Sequence, residues 1–189
     1  IAIQGVCNSE LAYQNSLPYA KERLSMRSLS GKKFPDKVAD PIIVHPDVRK
    51  MLLTQKAITE GGRAMIYFAG KMIDELEQCK DEQARMKIDD MLGFLTPILK
   101  GFLTEVGFES SNHGLQVLGG HGYIKEWGME QIVRDARIAT LYEGTTGIQG
   151  LDLLGRKILL QRGKPLKHFA REILGFCRKH SLISKNEHK

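Results

Sequence analysis

Between Pro46 and Leu103 the chain writes one pattern twice. Met51, Leu52, Ile58, Met65, Ile66, Ala69, Met72 and Ile73 recur at i, i+3, i+4 and i+7, with Thr54, Gln55 and Gly62 on the same stripe. A polar patch from Glu77 to Gln83 interrupts it, and Met86, Met91, Leu92, Leu95, Ile98, Leu99, Phe102 and Leu103 resume it. Spacing near 3.6 residues over so many turns belongs to a long amphipathic helix. Two such helices joined by a short polar turn are natural antiparallel neighbours. The expected fold is therefore all-α, an up-down helical bundle. Pro97 predicts a kink or short break in the second helix, because an interior proline removes one backbone bond and crowds the preceding turn.

Further helices are predicted on either side. Residues 1–26 form one, with Ile3, Val6, Cys7, Leu11, Leu17 and Leu24 loosely at helical spacing and a bend at Ser16–Tyr19 around Pro18. Gly31, Pro35, Pro41 and Pro46 make 28–46 a loop, longer than most connections and so a place for function or an interface. Residues 114–120 end a helix at their glycines, 128–142 and 145–160 form two more, and Pro165–His180 a last one with Leu166, Phe169, Ala170, Ile173 and Cys177 on one face. Ile1 opens directly into what reads as helix interior, without a cap, so the chain is expected to be a piece of a longer protein.

Composition narrows the class. With 42% apolar and 26% charged residues the chain has enough apolar surface for a folded core and is not a disordered segment. No apolar run approaches the roughly 20 residues of a membrane span, and no signal peptide is written at the start, so a soluble protein is expected. Cys7, Cys79 and Cys177 lie far apart without a C-x-x-C, which indicates no metal site and no disulfide framework; three buried thiols in a reducing compartment are expected. The formal charge of +6 is uneven: residues 156–189 hold ten of the 28 Lys and Arg and two of the 22 Asp and Glu, a net +8 against −2 for the rest. That tail has few aromatic residues and no nucleic-acid motif, so it reads as a solvated helix face or a contact for an acidic partner.

One segment could carry chemistry. Residues 134–149 run as an apolar-periodic helix into Tyr142-Glu143, break at Gly144, and restart at Thr145-Thr146. A carboxylate on such an elbow is held in a fixed direction. From the residues alone the commoner reading is a solvated acid near the positive end of a helix dipole. The glycines Gly119, Gly120 and Gly122 are not a dinucleotide loop, because no strand precedes them and no βαβ unit surrounds them.

Three blocks then point together. Gly119-Gly120-His121-Gly122-Tyr123, Arg134-Asp135-Ala136 and Tyr142-Glu143-Gly144-Thr145 resemble, in order and spacing, the C-terminal signature of the acyl-CoA dehydrogenases. Residues 123–130 and 147–155 resemble the subgroup of long bacterial members typified by 3-methylmercaptopropionyl-CoA dehydrogenase. The resemblance covers about residues 1–160, the expected helical domain, and leaves 161–189 as a basic amphipathic extension.

The resemblance implies a function. Glu143 would be the catalytic base that takes the α-proton of an acyl-CoA, giving the 2-enoyl-CoA while FAD accepts the β-hydrogen. Arg23 would reach the FAD pyrophosphate of a neighbouring subunit, where a guanidinium suits phosphate oxygens; without the resemblance it is a solvated helix arginine. Ser25 keeps a hydroxyl at a cofactor position, although Met26 replaces the family's aromatic residue. Gln116, Gly120 and Thr145 would approach FAD, Thr145 being equally an N-cap. Tyr142 and Gly144 would border the acyl chain, Tyr142 alternatively being core. Implied partners are an acyl-CoA substrate, a second copy of the chain in a homo-oligomer (dimer or tetramer) and an electron-transfer flavoprotein, with no nucleic acid and no membrane span. Residues 1–189 alone are expected to be folded, colourless and inactive. Two rivals stand beside this reading: an acyl-CoA oxidase, and a non-catalytic oligomerisation module whose basic tail docks a partner.

Overall fold

The fold is known from a computed structural model that describes residues 1–184; residues 185–189 of the basic extension lie outside the described residues. Its regular elements are helices: α1 (Ala2–Glu22), α2 (Pro46–Gln78), α3 (Glu82–Leu118), α4 (Gly120–Tyr123), α5 (Met129–Ile138), α6 (Thr146–Leu151) and α7 (Lys164–Ser184), with a π-helical stretch at Asp152–Leu159. Among the described residues the β-type pairing is a single antiparallel bridge, Leu24 to Pro41. The two stripes become α2 and α3, and Asp81 caps the second by accepting from the Gln83 N–H at 2.9 Å. Of the kink or short break expected at Pro97, the break does not occur, since α3 runs through it, and Thr96 Oγ1 donates to the Leu92 carbonyl within the turn that the proline disturbs. Pro18 likewise lies inside α1. Both it and Gln14, whose carbonyl it leaves without an N–H, are on the exposed side, where water can satisfy that group.

The chain divides into two compact units, Ile1–Phe68 with Leu99–Thr146 and Ala69–Ile98 with Gly147–Lys189. In the second unit Met72, Met91, Phe94 and Leu95 are buried, and Phe94 meets Phe169 with ring centroids 5.7 Å apart.

In the first unit α1 buries Val6 of the expected apolar set and packs Leu17 against the core, but most of its buried face is made of small residues. Gly5, Ser9, Ala12, Ser16 and Ala20 point inward, whereas Ile3, Cys7 and Leu11 are exposed. Small residues at helical spacing let backbones approach. A Cβ built on Gly5 would lie 2.1 Å from the Leu103 carbonyl oxygen, and one on Gly107 2.5 Å from the Gly5 oxygen. The hydroxyls along this seam pair across helices: Ser9 Oγ donates to Ser110 Oγ at 2.6 Å and lies 2.9 Å from Thr59 Oγ1, and Ser16 Oγ donates to Gln55 Oε1 at 3.0 Å. Gln55 in turn donates to the Ser110 carbonyl, so the polar groups of this network are paired and tie α2 to α3. Ala12, Ala20, Val48, Leu52, Val117, Leu118 and Met129 close the apolar core beside this network.

Two expectations are corrected. Cys7 and Cys177 are exposed and Cys79 is half-buried, because Cys7 sits on the outer face of α1. By length and composition, α3 does contain one window apolar enough to cross a membrane, of mean hydropathy 1.3; 56% of it is buried inside the protein, the pattern of a core helix.

The long loop after α1 is held by Asp40, which is fully buried. Its carboxylate accepts from the backbone N–H of Ser28 at 2.9 Å, of Phe34 at 2.8 Å and of Lys33 at 3.1 Å, and from the Arg27 guanidinium at 3.3 Å. The Ser28 bond, helped by those of Phe34 and Lys33, outweighs the cost of burial and holds the carboxyl at about 2. The folded value lies below the ordinary one, so this contribution to stability is complete above about pH 4 and is lost as pH falls toward 2. The protection of the Ser28, Lys33 and Phe34 amides, measured against their intrinsic exchange at the same pH, is expected to fall through that window before α1–α3 melt, and Asp40→Asn should lower the same protection at neutral pH.

Candidate functional site

The elbow that follows α5 begins earlier than the sequence suggests. The helix expected over 128–142 stops at Ile138, and Ala139–Gly144 are turns, so Tyr142 is not on a helical stripe. Glu143 has φ 51 and Gly144 φ 93. Two successive left-handed residues reverse the chain, and the first of them carries a side chain, at a cost of roughly 1–2 kcal/mol that the surroundings must offset.

The surroundings hold the elbow at three points. Tyr142 Oη donates to the Gln4 side chain at the start of α1. Lys100 Nζ, from the middle of α3, donates to the Gly144 carbonyl at 2.6 Å. Thr146 Oγ1 donates to Glu105 Oε1, also on α3, at 2.5 Å. Before the elbow, the buried Thr140 is joined to Arg137, whose guanidinium lies over the Phe108 ring at 5.5 Å. Glu143 itself is exposed, as is Tyr142, so the elbow presents a carboxylate outward from a braced backbone. Lys100 was not singled out in the sequence. The signal that could have found it is a lysine inside the most apolar run of the chain, Ile98-Leu99-Lys100-Gly101-Phe102-Leu103.

The other predicted residues gather elsewhere on the same unit. Arg23 follows α1, and its N–H closes onto the Tyr19 carbonyl while its own carbonyl accepts from Ile42. Ser25 is fixed through its backbone, donating to the Asp40 carbonyl and offering its own carbonyl to His45 Nε2 at 2.9 Å; its hydroxyl side is exposed. Met26, where the family's aromatic residue is missing, has φ 59 and is exposed. Gln116 lies in the last turn of α3, which ends as Gly119 turns left-handed at φ 59, and Gly120 opens α4. Tyr19 ties these pieces together: its hydroxyl is 2.9 Å from His121 Nδ1, and its ring stands edge-on to His121 and to Trp127, which stack on each other. Arg23, Gln116 and Gly120 are all exposed.

Arg23 and Ser25 therefore share one end of the unit with Gln116 and Gly120, whereas Tyr142, Glu143, Gly144 and Thr145 form the elbow. Gln4, which receives Tyr142, and Tyr19, which meets His121, are separated by about 22 Å of α1 at 1.5 Å per residue. The structure thus presents two groups of residues, an anchored carboxylate and a cluster with a cation, an amide and bare backbone.

Comparison with known proteins identifies the family. The family profile described as acyl-CoA dehydrogenase, C-terminal domain, matches residues 35–159. A 3-methylmercaptopropionyl-CoA dehydrogenase from Ruegeria pomeroyi is 46% identical over 92% of the chain, and a broad-specificity linear acyl-CoA dehydrogenase, FadE5, from Mycobacterium tuberculosis 35% identical over 93%. The chain spans 29% of the length of each of these relatives. Among solved structures, ACDH-11 of Caenorhabditis elegans superposes with a TM-score of 0.75 over 92% of the chain and 26% of its own, at 21% identity, a likeness of fold. The chain belongs to the acyl-CoA dehydrogenase family, as the C-terminal helical domain of that family.

Proposed function

We propose that the chain supplies the catalytic base of an FAD-dependent acyl-CoA dehydrogenase, an enzyme that converts a linear acyl-CoA thioester to its 2-enoyl-CoA. The observation that carries this reading is the elbow: a carboxylate on left-handed backbone, braced from α1 and α3, where the family signature puts its base. A scaffold helix junction has no use for such a strained, outward-aimed acid, which weighs against a purely structural module.

Bound FAD would supply the hydride acceptor for the substrate β-hydrogen. The chain's own residues do the rest. Glu143 takes the α-proton onto a carboxylate oxygen as the Cα–H and Cβ–H bonds break and the double bond forms. Its backbone N–H donates to the thioester carbonyl, drawing off the charge that develops there. Because Glu143 and Tyr142 are exposed on this unit, the acyl chain and the remainder of the enzyme must cover them and exclude water, with Tyr142 and Gly144 bordering the chain.

The second cluster fits a dinucleotide cofactor. Arg23 takes part in none of the ion pairs found among the described residues, so its guanidinium is available to a pyrophosphate. A Cβ built on Gly119 or Gly120 meets nothing within 4 Å, which leaves room for a ligand against bare backbone, and the Gln116 amide lies one turn away. Ser25 and Thr145 would add hydroxyls. The span of α1 between this cluster and the elbow supports assigning them to two different flavins, and hence a homo-oligomer in which Arg23 serves a neighbouring subunit. An electron-transfer flavoprotein as acceptor, a bacterial cytoplasmic setting, and a basic extension over 161–189 belong to the same proposal.

Anaerobic addition of acyl-CoA substrates to the full-length protein tests it: flavin absorbance should bleach and 2-enoyl-CoA appear. Reoxidation by electron-transfer flavoprotein but slowly by air separates a dehydrogenase from an oxidase, and no bleaching with any linear acyl-CoA would refute the assignment. Arg23→Ala should lower flavin content on dilution in step with the loss of oligomer, followed by size-exclusion chromatography at flavin wavelengths. Unchanged flavin content at high dilution would remove Arg23 from the cofactor site.

A further inference from the structure

α3 carries a lysine where its helical face is most apolar, and that side chain turns inward: Lys100 is 6% exposed. Burying an ammonium forfeits hydration that a single hydrogen bond does not return, so the position calls for a use of its charge or its reach. Its Nζ reaches the Gly144 carbonyl at 2.6 Å, the short contact of a charge-assisted bond. Burial pushes its pKa down, while attraction to Glu105 on α3 and Glu143 on the elbow opposes that fall.

The peptide that Lys100 grips follows two left-handed residues, Glu143 and Gly144. Tyr142 and Thr146 tie down the flanks of the elbow; Lys100 ties its centre, one peptide beyond the carboxylate-bearing residue. Rotation of the 144–145 peptide would swing Glu143 as a whole. A displacement of about 1 Å in a reacting group can cost ~10²-fold in rate.

We propose that Lys100 is a positioning residue for the base: its buried ammonium, bonded to the Gly144 carbonyl, fixes the left-handed elbow and so the direction in which Glu143 meets the substrate α-carbon. This rests on the reading of Glu143 as the base.

Steady-state kinetics of the full-length enzyme test it, with acyl-CoA carrying hydrogen or deuterium at the α-carbon. Lys100→Met, which fills the same space without donor or charge, should lower kcat about 10–100-fold with KM within about threefold, and should enlarge the α-deuterium isotope effect as proton removal slows. Lys100→Arg keeps charge and donor and should restore most of kcat and return the isotope effect toward the parent value. Should Lys100→Met fail to fold, Lys100→Gln, which keeps a donor, carries the same expectation with a smaller loss. A role confined to holding the fold would instead lower flavin content and leave the isotope effect where it was; that result, or parent-like turnover of the foldable variant, overturns the proposal. Glu143→Gln in parallel separates the two readings. If that variant turns over normally, the base itself is misassigned; if it is inactive while Lys100→Met is normal, only the positioning role falls.

Discussion

Glu143→Gln in the full-length protein is expected to lower turnover ~10²-fold or more while flavin content and acyl-CoA binding stay within a factor of a few. The amide matches the carboxylate in shape and volume, so the braces from Gln4, Lys100 and Glu105 to the residues around it are untouched. It also leaves the backbone cost unchanged, because Gln at φ 51 is no better suited to the left-handed region than Glu. What is lost is the proton acceptor, together with the carboxylate's attraction for the Lys100 ammonium. Flavin bleaching on anaerobic mixing with substrate, read by stopped flow, isolates that step from product release and reoxidation. Bleaching within a few-fold of the parent rate would sink the assignment of Glu143 as the base, however well the variant is folded.

What could be read from the sequence, and what could not, follows from how each feature is encoded. The helices α2 and α3 were legible because many large apolar residues repeat at one period, a signal that survives Gly62 and Pro97. The buried face of α1, beyond Val6 and Leu17, was missed for the opposite reason. Gly5, Ser9, Ala12, Ser16 and Ala20 do repeat at helical spacing, but through small size and hydroxyls, so attention to apolar residues selected Ile3, Cys7 and Leu11, which face out. The carboxylate on its elbow was visible as a helix running into Glu-Gly, and its role came from resemblance. Its left-handed backbone and the three braces depend on contacts from residues 4, 100 and 105, far away in the chain, which no local pattern announces. Asp40 was hidden in the same way: within a stretch of loop residues nothing marks one acid as the hub that gathers three backbone N–H groups and an arginine.

The seam between α1 and α3 gives the other large effect. Gly107→Val is expected to destabilise the domain by roughly 3 kcal/mol, the upper end of overpacking costs, and to lower the midpoint of thermal unfolding by on the order of 5–10 °C. A Cβ there falls 2.5 Å from the Gly5 oxygen and 2.7 Å from the Gly5 Cα, so the obstacle is backbone that no rotamer change can clear. The helices must part. Parting them stretches the Ser9–Ser110 bond of 2.6 Å, one turn along each helix, and moves the start of α1, where Gln4 receives Tyr142. Turnover should therefore fall together with stability, even though Gly107 touches none of the proposed site residues. Gly61→Ala is the control: a Cβ on this exposed α2 glycine meets nothing within 4 Å, and alanine in a helix interior should stabilise by about 0.5–1 kcal/mol. Circular dichroism melts of both variants beside the parent decide the point. If Gly107→Val melts with the parent, α1 and α3 do not cross at glycine contact, and the bracing of the elbow through Gln4 loses its foundation.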